Sequence, residues 1–124
     1  MRTDAPELLF ASRDDFRAWL SENAETSAGV WLVFGKTKAL KTLSANDALE
    51  EALCFGWIDG QMQSIDDQKY RKYFAKRRAD SVWSEKNKKT AEKLRNAGLM
   101  TELGEKAVET AKQNGKWDAP KQAP

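Results

Sequence analysis

SANDALEEALCFGWIDGQMQS, residues 44–64, decides the fold of this chain. Ser44 is a residue type that caps a helix, with Leu43 before it and Asp47 at the third helical position, so a helix begins here. Ala48, Leu49, Ala52 and Leu53 share its inward face, and Gly56 stands where such a helix stops. Past the glycine the period changes. Trp57, Asp59, Gln61 and Gln63 alternate with Ile58, Gly60, Met62 and Ser64, which predicts a strand from Trp57 to Ile65.

Downstream, Asp66-Asp67-Gln68 reads as a polar turn, and residues 70–76 return as an antiparallel strand that closes a hairpin. A helix would gather Tyr70, Tyr73, Phe74 and Arg77 instead, and periodicity alone does not decide; three aromatic residues in five favour the strand. Ser81 or Ser84 then starts a long basic helix with Ala91, Leu94 and Ala97 inward and a stop at Gly98. Thr101 caps a last helix that runs through Val108 and Ala111 to Gly115. Upstream, Ser12 caps a helix carrying Phe16, Trp19 and Leu20 as far as Asn23, and the glycine-bounded run 29–35 reads as a buried strand. The sum is an α+β domain, a small antiparallel sheet of about three strands packed with about four helices. One domain covers 10–117, with a loose arm at 1–9 and a flexible tail at 118–124 broken by Pro120 and Pro124.

A chain of 124 residues with 40% hydrophobic residues is long enough for one self-sufficient core. It contains no histidine, which excludes Ser-His-Asp and Cys-His nucleophile systems, histidine zinc sites and a histidine general base. One cysteine, Cys54, excludes an intrachain disulfide and a thiolate cluster; on an apolar helix, with no histidine to activate it, it reads as core packing. No glycine-rich phosphate loop or dinucleotide fingerprint is present, so no cofactor and no metal are expected. Neither a leader pattern nor an apolar run of bilayer length appears, so a cytoplasmic location without membrane insertion is the expectation.

Charge is unevenly spread. Residues 1–60 carry a net −4 and residues 61–124 a net +6, with eleven basic residues between Lys69 and Arg95 against Asp80, Glu85 and Glu92. Folded onto one face, that stretch makes a positive potential suited to an anion; paired against the acidic half, it is a solvated helix face.

Two constellations carry chemistry. Trp57 and Asp59 share a strand face just past the glycine, and a partly buried carboxylate there needs donors or a cation. Its plain structural role is to pair with an arginine and fix the sheet edge. The second is Arg77-Arg78-Ala-Asp80-Ser81-Val-Trp83-Ser84-Glu-Lys-Asn87, where guanidinium forks, hydroxyls and a helix start come together, the parts of an anion site. Here too a plainer role exists, with Ser81 or Ser84 capping the helix and Arg77 paired to Asp59. Of the five tryptophans, Trp19 and Trp31 lie on apolar faces, Trp117 pins the last helix, and Trp57 and Trp83 sit inside polar signatures.

ALCFGWIDG at 52–60, RRADSVWSEKN at 77–87, Leu94, Gly98-Leu-Met100 and Gly115-Lys-Trp117 together resemble the YdeI/OmpD-associated, or bacteriocin-protection, proteins, in order from Phe10 to Trp117. The resemblance implies a small bacterial α+β domain linked to envelope stress and to tolerance of bacteriocins or cationic antimicrobial peptides, with no set reaction or cofactor. Its signature falls on Gly56, Trp57, Asp59 and Gly60, then on Arg77, Ser81, Trp83, Ser84 and Asn87. Lys76 stands where such proteins usually have proline, which frees the turn aiming Arg77 and adds a charge.

The resulting expectation is a ligand-binding or regulatory domain in which Trp57, Asp59, Arg77, Arg78, Ser81, Trp83, Ser84 and Asn87 line a cleft for a small, phosphate-bearing anion, a tryptophan face packing on its ring. One alternative is nucleic-acid binding through Lys69–Arg95, with Tyr70, Tyr73 or Phe74 stacking bases. Further alternatives are an enzyme using Asp59 as acid or base with Arg77 as stabiliser, and an interaction protein with tryptophan hot spots.

Overall fold

The computed structural model describes residues 5–38 and 40–118. Residues 1–4 of the expected arm, and all of the expected tail beyond Asp118, lie outside the described residues.

Four hydroxyl side chains set the helix starts. Ser12 caps α1 (Arg13–Asn23), Ser44 caps α2 (Ala45–Cys54), Ser84 caps α3 (Glu85–Asn96) and Thr101 caps α4 (Glu102–Gln113), each accepting the backbone N–H three residues on. Each bond satisfies a donor that has no partner inside the helix, which is why these positions were readable in the sequence.

The strands are β1 (Glu7–Leu8), β2 (Val30–Gly35), β3 (Trp57–Ser64) and β4 (Lys69–Lys76), in sheet order β1-β2-β4-β3. The β3–β4 hairpin is antiparallel, with Asp66 Oδ1 accepting the N–H groups of Gln68 and Lys69 at its turn. The helical alternative for residues 70–76 is thereby closed. The sheet differs from expectation at one edge: β1, inside the stretch expected as a loose arm, runs parallel to β2, so the sheet is mixed and four-stranded. Two residues are too short for an alternation signal; Pro6 O accepts the Trp31 N–H at 2.8 Å and anchors the pairing.

The faces of β3 also differ from strict alternation. Asp59 lies opposite Phe74 and Met62 opposite Lys72, so β3 takes three steps while β4 takes two, and a bulge at residues 60–61 shifts the faces. Met62 and Ser64 therefore take the face begun by Trp57 and Asp59, while Gln63 turns to the other.

Helices cover one face of the sheet. Val30, Leu32, Phe34, Trp57 and Phe74 meet Phe16 and Leu20 of α1 and the apolar side of α2 there. Phe16 meets Phe74 edge-on at 5.8 Å, and Trp19 meets Trp57 edge-on at 5.8 Å. Each large side chain fully buried in this way contributes roughly 1.5–3 kcal/mol. Helix α2 is the hub, touching α1, β3, α3 and α4, and residues 48–54 are all buried, including Glu50 and Glu51. On the opposite sheet face Trp31 is buried under the Arg71 guanidinium, 4.0 Å from its ring. Ala97, expected inward, is the exposed C-cap of α3. Among the described residues no helix is long and apolar enough to cross a membrane.

Candidate functional site

Between the end of β4 and α4 lies a cleft of about 390 Å³. Lys76, Arg77, Arg78, Ser81 and Trp83 form one side; Leu103, Lys106, Ala107, Thr110 and Ala111 of α4 form the other. Ala24, Glu25, Phe55 and Gly56 complete the lining. The local sequence builds this shape. Gly56, at φ +76°, turns the chain from α2 into β3 in a conformation that side chains resist, and a Cβ there would lie 2.9 Å from Leu103 O. Its carbonyl accepts the Arg77 N–H at 3.0 Å, which fixes where β4 ends. The following loop is stitched to the end of α4: Asn114 Nδ2 donates to Ala79 O at 2.6 Å and Trp83 N–H to Lys116 O at 3.3 Å.

Arg77 is the centre of the cationic side. Its guanidinium carbon lies 4.0 Å from the Trp83 ring centroid, and Nη2 donates to Val82 O at 3.3 Å. Nε and Nη1 are buried and have no hydrogen-bond partner among the described residues. Burial pulls its pKa down to about 10, with the charge of Asp59 working in the other direction. The group stays cationic at neutral pH, so its charge acts on the cleft it lines although Nε and Nη1 are themselves closed to solvent. Lys76 reaches back to the Glu25 carbonyl, so its charge borders the same opening.

Four of the eight expected site residues line this cleft: Arg77, Arg78, Ser81 and Trp83. The other four do not. Trp57 is fully buried beneath it and donates Nε1–H to Ala24 O at 3.1 Å, so its polar signature serves the core. Asp59 pairs with Lys72 at 3.0 Å across the hairpin rather than with Arg77, because its register against Phe74 makes Lys72 the diagonal neighbour on the same face. Ser84 accepts the Asn87 N–H at 3.1 Å, and this pair forms the start of α3. The expected packing of a ligand ring on a tryptophan face is also revised: Arg77 covers Trp83, which tilts against Trp117 at 5.0 Å. Missed from the sequence were the α4 wall and Phe55; only the extra charge of Lys76 gave a signal.

The basic stretch does not form one face. Arg71 bonds Glu7 and Gln63 on one side of the sheet, Lys72 and Lys76 lie on the other, and Lys93 and Arg95 pair with Glu50, Glu92 and Glu105 on the helices. Tyr70 stacks on Phe34 at 5.4 Å, Tyr73 lies 5.3 Å from Trp31 and Phe74 is buried, so their rings are engaged internally.

A second charged cluster lies between α1 and α2. Arg13 bonds Asp47, Glu50 and Glu51, Arg17 bonds Glu51 at 2.9 Å, and Lys93 bonds Glu50 at 2.6 Å. Hydrogen bonding to Lys93, and then to Arg13, holds the Glu50 carboxyl below its usual range despite burial. Cys54 is fully buried, and burial pushes its thiol above the ordinary value, the opposite of nucleophile activation. Among the described residues no group of three or more His, Cys, Asp or Glu could hold a metal ion.

No curated protein and no solved structure matches the chain. A family model described as a domain of unknown function, DUF8412, matches residues 8–107, from β1 into α4, and so takes in both the hairpin and the Arg77 side of the cleft. The chain belongs to the DUF8412 family.

Proposed function

We propose that this is a ligand-binding or regulatory domain whose cleft holds a small anionic, phosphate-bearing ligand. The observation that supports it is the charge of the cleft wall, where the half-buried cation Arg77 stands with Lys76, Arg78 and Lys106. Among the described residues that line it, only Glu25 carries the opposite charge. Ser81 and Thr110 add hydroxyls that donate to phosphate oxygens. The test is titration of the folded protein with nucleotides and sugar phosphates, followed by tryptophan fluorescence and thermal shift. Trp83, in contact with Arg77, should report binding; no response at millimolar ligand from an intact fold rejects the reading.

The likeness of residues 52–60 and 77–87 to YdeI/OmpD-associated proteins belongs to the same proposal. In that reading the domain works in the cytoplasm and supports tolerance of bacteriocins or cationic peptides. A strain lacking the gene should then be more sensitive to a cationic peptide, with rescue by the wild-type chain and not by Arg77→Ala. Equal sensitivity of the deleted and complemented strains rejects it.

A further inference from the structure

We infer, resting on the anion-cleft reading above, that the ligand is a phosphomonoester with a compact apolar body, its phosphate at the Lys76–Arg78 rim and its body against α4.

The two sides of the cleft differ chemically. Lys76, Arg77 and Arg78 are consecutive at the end of β4, so three cations crowd one rim. Across from them, Leu103, Ala107 and Ala111 recur every four residues and form one apolar stripe along α4. The exposed Lys106, on the neighbouring stripe, stands outside it. A free inorganic ion would satisfy the first side and leave the second in water. A cleft of about 390 Å³ is also far larger than such an ion needs and lies at the small end of the roughly 300–1,000 Å³ usual for organic ligands.

Two observations restrict the body. The Trp83 face is taken by Arg77 at 4.0 Å, and the Phe55 ring has Arg17 over it at 5.3 Å, so the body meets aliphatic groups in place of a free aromatic face. The methyl side chain of the half-buried Ala107 leaves width for a flat ring or short chain, while Ala111 is buried in the core. The head is restricted by charge: three adjacent cations against Glu25 alone favour a dianion over a carboxylate.

Calorimetric titration of the full chain with phenyl phosphate, inorganic phosphate and benzoate tests this. Phenyl phosphate should bind at least tenfold more tightly than either of the others. Inorganic phosphate matching it overturns the apolar body, and benzoate matching it overturns the dianionic head; in both cases the anion cleft itself survives. Absence of binding by all three at millimolar concentration removes the anion cleft and this inference together. As a second measurement, Ala107→Leu fills the stripe from within the cleft and should weaken phenyl phosphate at least tenfold while sparing inorganic phosphate. Unchanged phenyl phosphate affinity in that folded variant places the body elsewhere and overturns the inference.

Discussion

The guanidinium carbon of Arg77 lies over the indole of Trp83, 4.0 Å from its centroid, with Nε and Nη1 closed to solvent and unpartnered among the described residues. The stacking contributes about 0.5–2 kcal/mol, whereas the two desolvated donors cost about 1–3 kcal/mol each, so the pair adds no net stability. Arg77→Ala should therefore lower unfolding free energy by no more than about 1 kcal/mol. Anion binding should fall at least tenfold, because the cleft wall loses one of its charges. Urea denaturation and titration on the same variant check this; a large stability loss with unchanged binding would make Arg77 a structural residue.

Trp57 and Asp59 should behave in the opposite way. Trp57→Phe removes the bond to Ala24 O and leaves a buried carbonyl unpaired, a loss of about 1–3 kcal/mol. Asp59→Asn removes a partly exposed pair with Lys72 and should cost under about 1 kcal/mol. Neither should shift phosphate-ester affinity more than about threefold, a margin of roughly 0.6 kcal/mol. A tenfold loss in either would return that residue to the site.

Glu51 is 5% exposed at its side chain and holds both Arg13 and Arg17. Glu51→Ala should destabilise by about 2 kcal/mol, less than the roughly 3–5 kcal/mol of a fully buried pair, because both arginines keep other acceptors. Denaturant midpoints measure it, and a change under about 0.5 kcal/mol would mean the cluster adds little.

Glu50 gives stability a defined dependence on pH. Its folded pKa lies below the ordinary 4.5 because of Lys93 and Arg13, so the unfolded chain takes up the proton first as pH falls. The stabilisation is complete above the unfolded value and is lost as pH drops through the folded one. Thermal midpoints should decline from pH 5 towards pH 3, and less steeply in Glu50→Gln. Parallel curves for the two proteins would contradict the assignment.

Gly104 sits in the first turn of α4, where an added Cβ would lie 2.8 Å from the Cys54 carbonyl carbon. Alanine gains up to about 1 kcal/mol in helix propensity, yet the obstacle is backbone and cannot rotate away. Gly104→Ala should thus destabilise by about 1–3 kcal/mol net. A more stable variant would show that α4 can slide along α2.

Local chemistry made most of the elements legible. Ser12, Ser44, Ser84 and Thr101 announce their helices because a cap is a bond within three residues, and the change of period at Gly56 announces β3. The partner of Asp59 was not legible, since it depends on the hairpin register, which no alternation pattern encodes. Glu50 and Glu51 had a signal that went unused: two adjacent acids inside the otherwise apolar run 48–54, facing arginines spaced one turn apart at 13 and 17. Arg77, Arg78, Ser81 and Trp83 were found together because they are close in sequence. Lys106, Ala107 and Thr110 were not, since nothing local says which side of α4 faces that loop.

The carbonyl of Cys54, at the end of α2, accepts both the N–H and the hydroxyl of Thr101, the residue that starts α4. The two helices are thereby fastened end to end directly behind the cleft, and the loop opposite is tied to the far end of α4 through Ala79 and Trp83. Neither bank can swing on a hinge. Admission must then rest on the long, exposed side chains at the mouth, Lys76, Arg78 and Lys106, which change rotamer in picoseconds to nanoseconds, whereas domain closure takes microseconds to milliseconds. Rapid-mixing traces should accordingly show one concentration-dependent phase and no slow step after it.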